Sequence, residues 1–364
     1  MTLSYIKPLD GLRAVALLLV IIWHYVDCQI EGYWASNALK ILKYFTFWGW
    51  SGVDLFFVLS GFLIGRILIF NRNSPHYFSA FYVRRSLRIF PPYYASLIVF
   101  FIVSYDYFLP IPWLTQPHFP LWTYFFYVQN FWMANAHFGA QWLSVTWSLA
   151  IEEQFYLLFP ALVYVVSPKS LPKLLIIGIG LAPFLRFLYA SNLGNYVLLP
   201  ARIDALFMGV LIAYFHLNGQ IDAYFSAKTK QLQWVLMAQI LIILVFKTLF
   251  KVHLGGVVIH SLLALFYGTL LIYTLVIKPE NGVYRALSHD FLAFIGKISY
   301  TFYLTHQIFS GLLHQFLLHQ APQMRNFTDV SVTLCALITT FCFSTISYVY
   351  FEKPLLLLNK KYDY

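Results

Sequence analysis

Residues 140–160 read AQWLSVTWSLAIEEQFYLLFP. Aromatic and aliphatic residues dominate this run, yet Glu152 and Glu153 stand side by side within it. The surrounding residues decide what solvent the two acids meet. Hydrophobic residues make up 60% of the 364-residue chain and charged residues 10%, whereas a soluble domain carries roughly 25% charged residues. Such a chain cannot cover a water-facing surface. Its long apolar runs approach the ~20 residues that a helix needs to cross hydrocarbon and lack the short alternation of a transmembrane barrel. The composition therefore predicts an all-α, polytopic transmembrane helical bundle.

About ten spans are expected, at 9–28, 47–70, 89–109, 143–166, 172–190, 199–217, 232–250, 257–277, 294–318 and 330–351. The stretch 120–133 (PLWTYFFYVQNFWM) is short and aromatic, which favours an interfacial or re-entrant segment. With the N-terminus placed in the cytoplasm, 17 Lys and Arg fall on the inner side. Only Lys40, Lys43, Arg186, Arg202, Lys247, Lys251 and Arg325 fall outside. This bias predicts cytoplasmic N- and C-termini, and it reads the net charge of +10 as topology rather than affinity for nucleic acid. Lys7 and Arg13 ahead of an apolar run could mark a signal peptide, but no small-residue cleavage site follows, so an uncleaved first helix is expected. No repeat is visible, and residues 1–364 read as a single membrane domain without an appended soluble domain. Cys28, Cys335 and Cys342 form no disulfide framework, and neither CxxC nor HExxH occurs, so no metal is expected.

Ionisable groups within a bilayer cost roughly 2.5–3.5 kcal/mol each and are functional candidates by default. His24, Asp54, Glu152, Glu153, Tyr303 and His306 all fall in the middle to outer part of the expected spans. Neighbouring helices could gather them into one polar pocket. Each also has a packing role open to it. A histidine can serve as an interhelical donor, Asp54 can cap the break near Gly52 or pair with an arginine, and Tyr303 can simply pack. Glu152 and Glu153 point about 100° apart on a helix, so one is expected to face the pocket and the other to pair with Arg or Trp. Arg84, Arg85 and Arg88 precede Pro91 in an inner loop, FYVRRSLRIFPPYY. They serve either as the positive-inside signal or as a phosphate clamp. Arg13 and His24, eleven residues apart, share a helix face at about 16 Å separation. That spacing suits an elongated anionic molecule entering from the cytoplasm.

Seven stretches, in order, carry a resemblance: LDGLRAVALLLVIIWHY, WSGVDLFFVLSGFLIG, RRSLRIFPPYY, TWSLAIEEQFYLLFP, ARIDALFMGVL, SYTFYLTHQ and YFEKP. Together they resemble the acyltransferase-3 family of integral membrane O-acyltransferases over essentially the whole length. The resemblance implies a ten-span, multi-pass protein of the inner membrane. It would move an acyl group, commonly acetyl, from cytoplasmic acyl-CoA to a hydroxyl of a surface polysaccharide, lipid-linked saccharide or glycosylated metabolite. By the resemblance His24 is the intramembrane base, Arg13 its paired arginine, and Arg85 and Arg88 handle acyl-CoA. Glu152 or Glu153 holds the family's acidic position. Many relatives append a hydrolase-like domain. None follows before Tyr364, so the membrane domain or a partner would complete transfer.

Transfer to an alcohol needs a base and an oxyanion donor. Histidine is suited to the first role, with a carboxylate (Asp54, Glu152 or Glu153) holding its tautomer. Arg13, Trp147, Ser148 or a backbone N–H could supply the second. A two-step route through an acylated Tyr303 would give ping-pong kinetics. The rival class is a proton-coupled transporter, in which buried His, Asp and Glu relay protons.

Overall fold

The computed structural model describes residues 3–30, 37–104, 111–116, 118–189, 192–249 and 252–364. Among them every regular element is helical. The long helices are α1 (Pro8–Ile22), α2 (Gly52–Phe70), α3 (Tyr77–Ser104), α4 (Thr146–Val165) and α5 (Leu171–Leu188), followed by α6 (Leu199–Leu217), α7 (Thr229–Leu249), α8 (Val252–Val276), α9 (Asp290–Leu318) and α10 (Phe327–Ser347). Nine helices among the described residues are long and apolar enough to cross a membrane. The remaining long one, α9, has 29 residues and spans roughly 43 Å. Its Ser, Thr, His and Gln residues make it less apolar, and it packs between α1 and α10, where those groups find partners.

Helices α2 and α6 form the centre. They approach closely because each offers a glycine to the other's backbone. A Cβ on Gly61 would lie 2.0 Å from the Leu206 carbonyl oxygen, and one on Gly209 would lie 2.1 Å from that of Val58. Two buried arginines tie the outer helices to this pair. Arg186 of α5 donates to Asp204 (2.8 Å), to the Val257 carbonyl (2.7 Å) and to the Ser261 hydroxyl. Arg202 of α6 donates to Asp54 of α2 at 2.7 Å. Both arginines fall among the charges expected on the outer side, within the expected spans 172–190 and 199–217. They lie inside instead, because each finds a carboxylate and further acceptors, which a buried charge requires. Lys251 and residues 105–109, the expected end of the third span, fall outside the described residues.

The third span differs from expectation at its start. Helix α3 begins at Tyr77 and carries Pro91 and Pro92 in its interior. A proline usually marks a helix start, so the arginines before it read as a loop. They lie on the helix. The aromatic stretch 120–133 forms two short helices, Leu121–Phe125 and Gln129–Asn135, broken at Tyr127 with φ 54°. Helix α10 is capped by Asn326, whose side chain accepts the Asp329 N–H. Both ends of the chain lie at one face. There Arg66 donates to the Ser4 carbonyl at 2.9 Å, and Arg84 donates to the Tyr362 carbonyl at 2.7 Å.

Candidate active site

Two cavities lie in series within the bundle, and Tyr303 lines both. The cavity nearer the chain termini holds about 850 Å³, its mouth included. Arg13 of α1, Arg85 and Arg88 of α3, and Glu152 and Glu153 of α4 line it. Arg13, Arg85 and Arg88 also line a vestibule reaching Ser4, Tyr5 and Lys297 at the terminal face. Three guanidinium groups reach one space because α3 is helical through the RRSLR stretch, which puts Arg85 and Arg88 one turn apart on one face. Arg85 stacks on Tyr156, with its guanidinium carbon 5.7 Å from the ring centroid. Arg13 is 3.5 Å from Asp10, which accepts the Tyr5 hydroxyl. Burial, and secondly that hydrogen bond to Asp10, push the Tyr5 phenol up to about 12, so it remains a donor.

Both glutamates line this cavity, not one of them. Ser148, Glu152 and Tyr156 form one i, i+4 row, Leu149 and Glu153 the adjacent row, and the cavity covers both rows. Glu153 Oε1 is buried without a protein hydrogen bond among the described residues. Arg84 stands about 100° around α3 from Arg85 and is taken up elsewhere. It donates to Asp363 at 2.8 Å and lies over the Tyr364 ring.

The second cavity lies toward the opposite face and, with its opening, holds about 1870 Å³. His24 lines it from a π-helical turn, Trp23–Asp27, that continues α1. Its partners fix its tautomer. His306 Nδ1 lies 2.6 Å from the Tyr303 carbonyl, which can only accept, so that nitrogen carries the hydrogen and His306 Nε2 is an acceptor. His24 Nδ1 lies 3.1 Å from this Nε2 and 3.1 Å from the Val20 carbonyl. Both are acceptors, so His24 Nδ1 carries its hydrogen and shares it between them. Among the described residues His24 Nε2 has no hydrogen-bond partner, which leaves its lone pair free. Sequence reasoning had assigned this orienting role to a carboxylate. Among the described residues no carboxylate is hydrogen-bonded to His24, since the glutamates face the arginines and Asp54 is held by Arg202.

The six groups expected in one pocket are thus divided. Glu152 and Glu153 lie in the arginine cavity, His24 in the second cavity, and Asp54 in a buried ion pair. His306 is fully buried behind His24, and Tyr303 forms part of the partition. The Tyr303 hydroxyl is 2.7 Å from Ser148 Oγ and donates toward the Val145 carbonyl at 3.2 Å. His260, which sequence reasoning passed over, also lines the second cavity. Its only sequence signal is a histidine within an apolar span. Among the described residues no cluster of three or more His, Cys, Asp or Glu could hold a metal ion.

Three guanidinium groups thus line one cavity and the His24 imidazole lines the next. A family model described as an acyltransferase domain matches residues 6–349. The chain belongs to the acyltransferase-3 family. A Staphylococcus aureus (strain COL) protein provisionally named an O-acetyltransferase is 28% identical over 97% of this chain and 57% of its own length. The peptidoglycan O-acetyltransferase OatA of Listeria monocytogenes is 28% identical over 97% of this chain and 56% of its own. The O-acetyltransferase OatA of S. aureus (strain NCTC 8325 / PS 47) is 28% identical over 96% and 57%. This chain therefore spans little more than half the length of these relatives. No solved structure matches it. Family membership and the membrane-spanning helices together make it a multi-pass membrane protein with an acyltransferase domain.

Proposed function

We propose that this chain is an inner-membrane O-acetyltransferase that takes its acyl group from cytoplasmic acyl-CoA, acetyl-CoA first among them. The acceptor is a sugar hydroxyl on the opposite side, in a glycan such as the one named for the Listeria relative. The observation that carries the proposal is His24 Nε2, whose lone pair is left free by the Val20 and His306 contacts at the wall of the second cavity. The arginine cavity lies next to it in series.

Arg13, Arg85 and Arg88 suit the coenzyme A phosphates, since guanidinium forks match phosphate oxygens. The terminal face, where the vestibule opens, is then cytoplasmic, in keeping with the bias of Lys and Arg. The pantetheine arm extends along the cavity toward Tyr303 and presents the thioester to His24. His24 Nε2 takes the proton from the acceptor hydroxyl, whose oxygen attacks the thioester carbonyl. The carbon–sulfur bond breaks, the new ester stays on the sugar, and the thiolate recovers a proton from the imidazolium.

Radiolabelled acetyl-CoA binding and thioester cleavage by purified protein in lipid nanodiscs test the proposal. His24→Ala is expected to keep binding and lose cleavage, and Arg85→Ala/Arg88→Ala to lose binding. Cavities in series also fit the rival reading, a proton-coupled transporter. Substrate uptake by proteoliposomes in the absence of any acyl-CoA, with no thioester cleaved, would replace the transferase reading with that one.

A further inference from the structure

The second cavity is built differently from the first. The arginine cavity has three Arg and two Glu in its wall. Among the described residues lining the second there is no Lys, Arg, Asp or Glu. Its polar groups are amides, hydroxyls, the Cys28 thiol and two histidines, and about half of its apolar side chains are aromatic. Trp147 packs on Tyr196 (4.6 Å between centroids), Tyr196 on His260 (5.6 Å), and His260 on Trp50 (5.3 Å). Gln141 donates to Gln307 at 3.0 Å, and each of these amides retains further hydrogen-bonding capacity.

His260 is 5% exposed, and its outer nitrogen has no protein partner among the described residues. Its inner nitrogen is committed. Arg202 Nη1 contacts Nδ1, and a guanidinium has only hydrogens to offer, so Nδ1 accepts. Asp54 Oδ1 is also 3.4 Å from Nδ1, the longer of the two contacts. The closer guanidinium decides the tautomer. Neutral His260 therefore carries its hydrogen on Nε2, the opposite arrangement from His24. One cavity thus has an imidazole acceptor in one wall and an imidazole donor in another.

We propose that the second cavity is the acceptor subsite, that His260 Nε2–H is the donor that positions the acceptor, and that the subsite takes an uncharged sugar. This assignment rests on the transferase reading above and adds the location and charge of the acceptor. Aromatic faces cover the apolar faces of a pyranose ring, and a few placed polar groups fix its orientation. A carboxylate or phosphate on the ring would enter an apolar, aromatic wall without a cation to meet it, at a desolvation cost. Arg202, a buried cation in contact with His260, is occupied by Asp54.

N-acetylchitotetraose is the uncharged probe and tetragalacturonate the charged one. Each is titrated into nanodisc-held protein, with quenching of tryptophan fluorescence as the readout. Acetyl-CoA binding is read in the same samples by radiolabel. The expected result is binding of chitotetraose and none of tetragalacturonate. His260→Leu weakens chitotetraose binding about tenfold, as loss of one buried hydrogen bond does. His260→Gln, whose amide N–H reaches close to the position of Nε2, recovers most of it, which a merely structural role would not allow. Equal binding of the two probes, unaltered binding in His260→Leu, or no binding of either probe overturns the assignment. Failure of the transferase reading shows separately, in the acetyl-CoA arm.

Discussion

Nε2 of His306 lies 3.1 Å from Nδ1 of His24, across the boundary between α9 and α1. The contact joins residues 282 positions apart in sequence and gives the candidate base a neutral orienting partner where a carboxylate is common. A neutral partner fixes tautomer and ring plane but stabilises the imidazolium less.

His24→Ala is expected to lower acetyl transfer by roughly 10²–10⁴-fold, the usual contribution of a general base. His306→Leu should lower kcat less, by about tenfold, with the KM for acetyl-CoA little changed. His306→Gln, whose amide oxygen can accept from His24 Nδ1–H, should recover part of that loss. Steady-state kinetics in nanodiscs check all three, and equal rates for His306→Leu and wild type would remove His306 from the positioning role.

The arginines of α3 should separate cleanly. Arg85→Ala and Arg88→Ala each remove a charge from the donor cavity and should raise the KM for acetyl-CoA by about 10–100-fold, the range for a hydrogen bond to a charged group. Arg84→Ala should leave it within about twofold, because that side chain is committed to the C-terminal segment. The comparison is a KM series at constant ionic strength.

Tyr303 distinguishes a partition from a nucleophile. Its hydroxyl is engaged with Ser148 and the Val145 carbonyl, and its ring lines both cavities. Tyr303→Phe keeps the ring and should retain transfer to within about tenfold, the loss expected for one hydrogen bond. Tyr303→Ala opens the partition and should raise hydrolysis of acetyl-CoA relative to transfer. Complete loss in Tyr303→Phe, together with a trapped acetyl-tyrosine in wild type, would favour the two-step route.

Breaking the buried pair at the centre of the bundle should cost stability before chemistry. Arg202→Met leaves Asp54 uncompensated and should destabilise by about 3–5 kcal/mol. Asp54→Leu/Arg202→Met together should recover much of this, since well-packed apolar replacements of a buried ion pair are often neutral. Thermal unfolding in detergent reads both variants.

The contact between α2 and α6 gives a steric counterpart. Gly61→Ala places a methyl 2.0 Å from a backbone oxygen and should destabilise by about 1–3 kcal/mol, as overpacking does. At Gly180 of α5 nothing lies within 4 Å of the added methyl. Gly180→Ala should be neutral or slightly stabilising by helix propensity. Equal unfolding temperatures for the two variants would contradict the close approach of α2 and α6.

The helical spans were legible because a run of apolar residues reports burial in lipid directly. Spacing suggested Arg13 and His24 on one helix face, but they line different cavities, and His24 stands in a π-helical turn beyond the end of α1. The bonds between helices left no such trace. Arg186 and Arg202 read as outer-side topology charges until Asp204 and Asp54 are seen beside them, and pairing at 18 and 148 residues of separation follows no period. Pro91 and Pro92 concealed the helical start of α3, so the arginines of a cavity wall read as a loop. The partner of His24 was visible as His306 within SYTFYLTHQ. Its role depends on a π-helical turn that no residue pattern announces.

The Tyr303–Ser148 contact has an electrical consequence. An open passage lined by arginines through a bilayer would leak ions, and each elementary charge crossing would dissipate about 2.3 kcal/mol per 100 mV of membrane potential. With the partition in place and the proposed chemistry across it, the highly charged nucleotide stays on one side and the glycan on the other. An acetyl group crosses one way and the acceptor's hydroxyl proton the other. This exchange is neutral overall and neither draws on the membrane potential nor discharges it, so the cell can decorate its exterior from an interior metabolite without opening a conductance.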